Sequence, residues 1–295
     1  MRVAIVIPTY NGKHLLEQNL PQVLASLRPA DQLIIVDDAS SDGSVVWMRD
    51  FFSLRQSSRS DDFICYSSIY KNREIKVLVN QSNMRFASSC NRGVESANGE
   101  VVVLLNNDVV PKANFLDSLI HHFSDRNVFA VGCKEIATHQ NNREFGRSEL
   151  SFERGFFVHR RASDQNKSET AWVAGGSGAF RKSLWKEIGG FDLRYYPAYW
   201  EDIDVSFGAK RRGWKVLFEP QSIVYHNHES TNASVFGKRQ VEIMGFKNQI
   251  LFTWKNSNFI QLMQHLLWLP YHLTFTTYRS KGEFLLGFLQ AVFDL

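Results

Sequence analysis

Val3-Ala4-Ile5-Val6-Ile7-Pro8-Thr9-Tyr10-Asn11-Gly12 opens the chain with an uninterrupted apolar run that gives way at once to a polar loop. The run is too short for the core of a secretory leader and has no small-residue cleavage site, so it reads as a first β-strand. The same pattern recurs downstream. Leu33 to Val36, Lys76 to Val79 and Val101 to Leu105 are nearly continuous apolar runs. Around them, His14 to Leu27, Ser44 to Phe52, Ala87 to Ala97 and Asn114 to Phe123 carry apolar residues at helical spacing. Strands that are apolar on both faces are buried on both faces, which calls for parallel pairing beneath helices. The pattern predicts an α/β fold with a doubly wound sheet, whose ligands bind beyond the carboxyl ends of the strands.

Composition narrows the function. The 295 residues are 44% hydrophobic and 22% charged, with a formal net charge of +4 and no run of Lys and Arg, which argues against a nucleic-acid partner. Cys65, Cys90 and Cys133 are odd in number and lack zinc or disulfide spacing, so they read as reduced, mostly buried thiols. No stretch reaches the 18 or so uninterrupted apolar residues of a membrane span, and the catalytic part is expected in the cytoplasm. Three polar stretches, Arg55 to Asn72, Thr138 to Arg147 and Ala162 to Glu169, read as loops. There is no internal repeat. After Thr231 the chain turns to helices rich in Phe, Trp and Leu. The expected division is a catalytic domain over residues 1–236 and a C-terminal helical, membrane-seeking segment over residues 237–295.

The strand ends hold the polar chemistry: Pro8 to Gly12, then Asp37-Asp38-Ala39-Ser40-Ser41-Asp42-Gly43-Ser44, then Asn80 to Asn83, then Asn106-Asn107-Asp108. Each alone is also a good turn or N-cap sequence. Together, and in this order, they resemble the family 2 glycosyltransferases of the GT-A fold, in particular bacterial rhamnosyltransferase-like members. The resemblance covers Val3 to about Ser230. Its pieces are Ile7 to Asn11, Val36 to Ser40, the run Asn83 to Gly99, Leu104 to Asp108, Gly175-Gly176 and Trp200-Glu201-Asp202-Ile203-Asp204.

The resemblance implies a GT-A nucleotide-sugar transferase with a doubly wound mixed sheet and C-terminal amphipathic helices. It implies an inverting enzyme that moves a sugar from a UDP or dTDP donor to a hydroxyl of a glycan or lipid-linked acceptor, in cell-surface polysaccharide synthesis. Asp38 would accept the imide N–H of the base, with Asp37 as the second candidate, Pro8, Thr9 and Tyr10 would form the wall, and Asn11 would join the donor-binding residues. A carboxylate acceptor and a flat aromatic are the residue types such a base requires. Asn83, Arg85, Asn91, Asn106, Asn107, Gly175 and Gly176 would complete the donor side.

A leaving diphosphate gains charge in the transition state, and a divalent cation, Mg2+ or Mn2+, is the usual stabiliser. Asp108 stands at the family's DxD signature, with Asn106 in place of its first aspartate. His226 fits the family's metal-site histidine, and His228 is a weaker candidate. Asp202 would be the base and Glu201 its neighbour, while Trp200 and Arg181 would serve the acceptor. Arg85 departs from the family, which carries glycine there. Two competing readings, a sugar nucleotidyltransferase and a non-catalytic carbohydrate-binding protein, fit less well. The first needs a Gly-rich loop with arginine after the first strand, and the second has no use for Asp108, Asp202 and His226 together.

In the C-terminal segment, Phe259 to Pro270 repeats apolar residues at i, i+3, i+4 and i+7. Lys238, Arg239, Lys247, Lys255, Arg279 and Lys281 flank it, against Glu242, Glu283 and Asp294. This suits a helix lying on a membrane surface, although a buried cap on the catalytic domain would show the same period.

Overall fold

The computed structural model describes residues 1–138, 142–226 and 236–294. Along the first half, β1 (Val3–Thr9), α1 (Lys13–Ser26), β2 (Gln32–Asp37) and α2 (Ser44–Phe51) lead through β3 (Arg55–Arg59) and β4 (Phe63–Tyr70) to β5 (Arg73–Asn80), α3 (Arg85–Ser96) and β6 (Val101–Leu105). β5, β2, β1 and β6 lie side by side and parallel. On one face Leu16 and Leu20 of α1 and Met48 of α2 share a core with Ile5, Ile7, Leu33 and Ile35. On the other, Cys90 and Val94 of α3 share one with Ala4, Val6, Ile34 and Val36. The approach of α3 is so close that a side chain at Gly93 would overlap Val6. The strand order turns back between β1 and β6, and a crevice opens beyond their carboxyl ends.

The stretch Arg55 to Asn72, expected as a loop, is instead the hairpin β3–β4, and β4 pairs antiparallel with β5 along its full length. Serines and charges fill its outward positions and hide the alternation. Strand preference there comes from the neighbouring strand rather than from the residues themselves.

The second half runs β7 (Val109–Pro111), α4 (Phe115–Ile120), β8 (Val128–Ala137), β9 (Arg143–Phe145), β10 (Ser148–Glu153), β11 (Phe156–Arg161), β12 (Ser177–Arg181), α5 (Lys182–Ile188), α6 (Glu201–Arg211) and β13 (Lys215–His226). β12 enters antiparallel between β6 and β8, and β13 pairs parallel with β8. The sheet is therefore mixed, in the order β3-β4-β5-β2-β1-β6-β12-β8-β13-β7 with β9 on β8. Residues 143–145 of the second polar stretch form β9, whereas residues 139–141 lie outside the described residues. The third stretch is irregular, tied down by Gln165, which exchanges hydrogen bonds with the backbone of Arg147. All three cysteines are buried and unpaired.

The C-terminal helices are α7 (Lys238–Asn256), α8 (Phe259–Tyr271) and α9 (Glu283–Phe293). The expected boundary at residue 236 falls just before α7, which packs on the catalytic domain. Ile250 and Phe252 share a core with Phe156, Phe157, Trp200 and Ile203. Fully buried Asn248 donates from Nδ2 to the carbonyls of Tyr195 (3.0 Å), Ala198 (2.8 Å) and Tyr199 (2.9 Å). Lys247 reaches the carbonyl of Tyr196 at 2.7 Å. At the other end of α7, Lys255 (2.6 Å) and Asn256 (2.9 Å) donate to Asp204 of α6.

These bonds hold a turn that needs holding. Tyr199 and Trp200 are both left-handed, with φ of 77° and 78°, a conformation that costs an L-residue roughly 1–2 kcal/mol. Replacing Asn248 by alanine leaves three inward-facing carbonyls without their donor. Asn248→Ala is expected to lower unfolding free energy by about 1–3 kcal/mol, read from urea denaturation; a loss below that range would show that the turn holds itself.

Candidate active site

A cavity of about 450 Å³ lies at the crevice. It is bordered by Pro8, Thr9, Tyr10, Asp38, Asn83, Arg85, Asn106, Asn107, Asp108, Gly175, Gly176, Glu201, Asp202 and His226, which the sequence placed in the site. Loops after β1, β2, β5 and β6, the loop before β12, the end of β13 and the start of α6 deliver them to one place.

The two aspartates after β2 do different work. Asp37 is fully buried and accepts the backbone N–H of Ser40 at 2.9 Å; burial pushes its carboxyl above the usual range, and it does not reach the cavity. Asp38 does. Its Oδ1 accepts from Asn80 Nδ2 (2.7 Å) and the N–H of Met84 (2.8 Å), and its Oδ2 from the N–H of Arg85 (2.7 Å). The carboxylate thus fixes the loop between β5 and α3, and Oδ2 keeps capacity for a second donor. Asn11 also stays outside the cavity, bridging to Ser40 and Ser41.

Arg85 stands at φ 68°, in the left-handed region, which accounts physically for a glycine at this place in the family. Its guanidinium spans the mouth of the cavity, 5.3 Å from the ring centroid of Phe236 and 6.0 Å from that of Tyr196. Among the described residues that line the cavity it is the one Lys or Arg.

Beyond β6, Asn107 Nδ2 donates to Thr9 Oγ1 at 2.9 Å, and the N–H of Asn106 donates to the carbonyl of Gly176 at 2.9 Å. A Cβ on Gly176 would meet the Asn106 amide at 2.5 Å, so this glycine makes room for asparagine. Asp108 is buried, and its Oδ1 makes no hydrogen bond, though His226 Nε2 lies 3.2 Å away. On the other side of the ring, Nδ1 lies 3.3 Å from Glu135 Oε2. Burial pulls the imidazole down, but Asp108 and Glu135 outweigh it and push His226 up to about 10. An orphaned buried carboxylate oxygen beside an imidazole nitrogen is a donor pair that fits a hard or borderline divalent cation, while Glu135 lies on the far side of the ring and does not converge with them. His228 lies outside the described residues.

At the head of α6, Asp202 accepts from the N–H of Ile203 (2.8 Å) and of Gly175 (3.3 Å). Burial, partly offset by those N–H groups, raises its carboxyl into the range of a base that works near neutrality. Glu201 is raised further, by burial and then by Asp202, and its Oε2 has no hydrogen-bond partner.

Three expected residues are turned to other work. Arg181 donates to the carbonyls of Phe123, Asp125 and Val128, which uses its guanidinium away from the cavity. Trp200 is buried between His159 and Phe252, with no free face for a sugar. Asn91 exchanges hydrogen bonds with the backbone of Phe191. Conversely, the cavity is bordered by residues the sequence reading passed over: Glu135, Phe86, Tyr199 and Phe236. Glu135 had no local signal, because only the pairing of β8 with β12 and β13 brings it to His226. A separate trio, His121, His122 and Glu219, has ligand atoms within 4.8 Å of one another but does not border the cavity.

Comparison with known proteins agrees with this geometry. The profile of "Glycosyl transferase family 2" matches residues 4–189, and that of "Glycosyl transferase family group 2" matches residues 101–292. The chain is 25% identical over 228 residues, 77% of its length, to the pre-mycofactocin glycosyltransferase of Mycobacterium tuberculosis. It spans less than half of that relative, 43%. It is 22% identical over 245 residues to the O-antigen chain rhamnosyltransferase RfbN of Salmonella typhimurium, covering 80% of this chain and 69% of the other. The solved mannosyltransferase PcManGT from Pyrobaculum calidifontis, in complex with GDP-Man and Mn2+, superposes with a TM-score of 0.63 at 15% identity, covering 99% and 87% of the two chains. The fold is GT-A.

Two measurements follow from the site's physics. Arg85→Gly relieves a left-handed residue (about 1–2 kcal/mol). It also forfeits a half-exposed cation–π contact (about 0.5–1) and adds chain entropy to the unfolded state (about 0.5–1). The sum is near zero, so urea stability should stay within about 1 kcal/mol; a larger loss would make the guanidinium a structural strut. The second concerns pH. Glu201 and Asp202 hold protons in the folded chain that the unfolded chain has released, so they make stability fall as pH rises from about 4 toward 8. Glu201→Gln should flatten that slope, and an unchanged slope would mean that the Glu201 carboxyl is not raised.

Proposed function

The chain belongs to Glycosyl transferase family 2 and is a glycosyltransferase, and from that premise we propose that it transfers one sugar, with inversion, from a UDP or dTDP donor to a hydroxyl of a glycan or lipid-linked acceptor. The observation that carries the reading is a single cavity with Asp202, a half-buried carboxylate poised as a base, and the Asp108–His226–Glu135 cluster.

Asp202 takes the proton of the acceptor hydroxyl as that oxygen attacks the anomeric carbon from the face opposite the leaving diphosphate. Burial first, and then the charge of Glu135, keep its carboxyl raised, and Glu201 buried beside it orients the acceptor. Asp108 and His226 would hold Mg2+ or Mn2+, with Glu135 at the far side of the ring; the bound cation supplies positive charge against the departing diphosphate. Asp38 offers Oδ2 to the base N–H, Pro8 and Tyr10 wall the nucleotide, and Asn106 faces its ribose. Arg85 contributes the mouth's fixed positive charge to the donor phosphates.

The mannosyltransferase bound to GDP-Man and Mn2+ supports a nucleotide-sugar donor and a divalent cation. The O-antigen rhamnosyltransferase relative supports an acceptor destined for a cell-surface polysaccharide. On this reading the chain works in the cytoplasm, on the inner face of the cell membrane.

Asp202→Asn is expected to abolish transfer while leaving donor affinity within a few-fold, because the base acts on the acceptor. Wild-type turnover by this variant would remove Asp202 from the role. Transfer, followed as release of free nucleoside diphosphate from a panel of donors, should be lost with EDTA and restored by Mn2+ or Mg2+. Undiminished transfer in EDTA would overturn the cation assignment, and sugar binding without nucleotide release would make the chain a carbohydrate-binding protein.

A further inference from the structure

α8 is amphipathic in the wrong sense for a helix on a protein surface. Its one fully buried residue is His265, whose Nδ1 lies 2.9 Å from the carbonyl of Gly155 and whose Nε2 accepts from Trp254 Nε1 at 3.0 Å. The side turned away from the protein is apolar: Phe259 and Leu267 are each 77% exposed, and Ile260, Met263 and Leu266 are exposed with them. A buried cap would reverse this, so the period of the sequence does not come from core packing. α9 completes the surface. It packs Phe284, Gly287 and Ala291 inward, where a side chain at Gly287 would collide with Ile243 and Phe246 of α7, and leaves Leu286, Leu289 and Val292 exposed.

Charge identifies what covers this face. α8 contains no Asp, Glu, Lys or Arg. At the edge of the hairpin sit three cations, two of them over aromatic rings: Arg154, from the β10–β11 turn, is 6.0 Å from Tyr271, and Arg279 is 5.9 Å from Phe275, with Lys281 following. The nearby acid Asp294 is neutralised by Lys247 at 2.9 Å, and Glu283 hydrogen-bonds Glu242, which raises its carboxyl and reduces the negative charge of the pair, with Arg239 and Lys281 beside them. An apolar slab rimmed by cations and aromatic rings matches the boundary between acyl chains and anionic headgroups. Among the described residues no helix is long and apolar enough to cross a membrane.

We propose that the α8–α9 hairpin docks this protein on an anionic lipid bilayer, lying in the interface with Phe259, Leu266 and Leu267 among the acyl chains and Arg154, Arg279 and Lys281 at the headgroups. The inference deepens the inner-face placement given above and rests on that placement for its biological side. The contact itself is independent of the chemistry at Asp202.

The test is co-sedimentation of the full chain with phosphatidylcholine vesicles, with and without phosphatidylglycerol. The chain should pellet with the anionic vesicles and stay in solution with the neutral ones. Leu266→Glu with Leu267→Glu, both at exposed positions, should weaken pelleting about tenfold or more while nucleoside diphosphate release from soluble donor stays at the wild-type rate. Arg154→Glu with Arg279→Glu should remove the preference for anionic vesicles. The proposal is overturned if the full chain ignores both vesicles, if the leucine variant pellets as before, or if light scattering without lipid finds a dimer that the leucine variant splits, which would make the face a contact between two copies. Vesicle binding without nucleotide release would sink the transferase reading and leave this one standing.

Discussion

Five carboxylates, those of Asp38, Asp108, Glu135, Glu201 and Asp202, border one cavity, and much of the molecule is arranged around carrying that charge. Each is handled differently. Asp38 is held by two backbone N–H groups and an amide, so its oxygens are fixed in place by donors that cannot leave. The ring of His226 stands between Asp108 and Glu135 and keeps them apart, with Oδ1 of Asp108 left without a hydrogen bond among the described residues. Glu201 and Asp202 have little compensation and respond by holding protons to higher pH. A single cavity therefore contains a carboxylate fixed by three donors, a carboxylate–imidazole cluster and a pair of carboxyls raised by burial. Burial and partner choice alone separate three environments for one functional group.

The division of the chain looks different once the contacts of α7 are considered. Composition changes near residue 236, yet α7 supplies Asn248 and Lys247 to the segment that leads into α6, and Lys255 and Asn256 to Asp204 within α6. That segment contains two consecutive left-handed residues, Tyr199 and Trp200, directly before Glu201 and Asp202. The strain aims the two carboxyls into the cavity, and the helix beyond the compositional break maintains it.

What could be read from the sequence follows the range of the forces involved. β1, β2, β5 and β6 are legible because both faces are buried and their apolar runs need no neighbour to explain them. The strand-end motifs are legible because loops after parallel strands converge whatever the rest of the chain does. Glu135 was not, since a lone glutamate in β8 becomes part of a site only through register with strands more than forty residues away in sequence. Trp200 and Arg181 misled for a related reason: their neighbours in sequence are site residues, but one side chain is claimed by Phe252 of α7 and the other by the carbonyls of Phe123, Asp125 and Val128. Residue type suggested a role, and tertiary contacts assigned another.

Arg85 shows how the two levels combine. Sequence alone marks it as a departure where the family has glycine, and the backbone gives the reason that glycine suits the position: φ is 68°. An arginine there accepts local strain of roughly 1–2 kcal/mol. In exchange a guanidinium stands at the mouth of a cavity otherwise dominated by carboxylates, held between rings contributed by the approach to α6 and the approach to α7. A cation placed by backbone strain and aromatic faces, rather than by a carboxylate partner, keeps its hydrogen-bonding capacity largely unspent, its one side-chain hydrogen bond among the described residues being Nε to Tyr196 Oη at 3.4 Å. Pairing it with a carboxylate of the cavity would have stabilised the empty site and cost the same interaction again when a phosphate arrived. Stacking it on rings avoids that second cost, so the strain at residue 85 is the local expense of holding a positive charge ready for an anionic ligand.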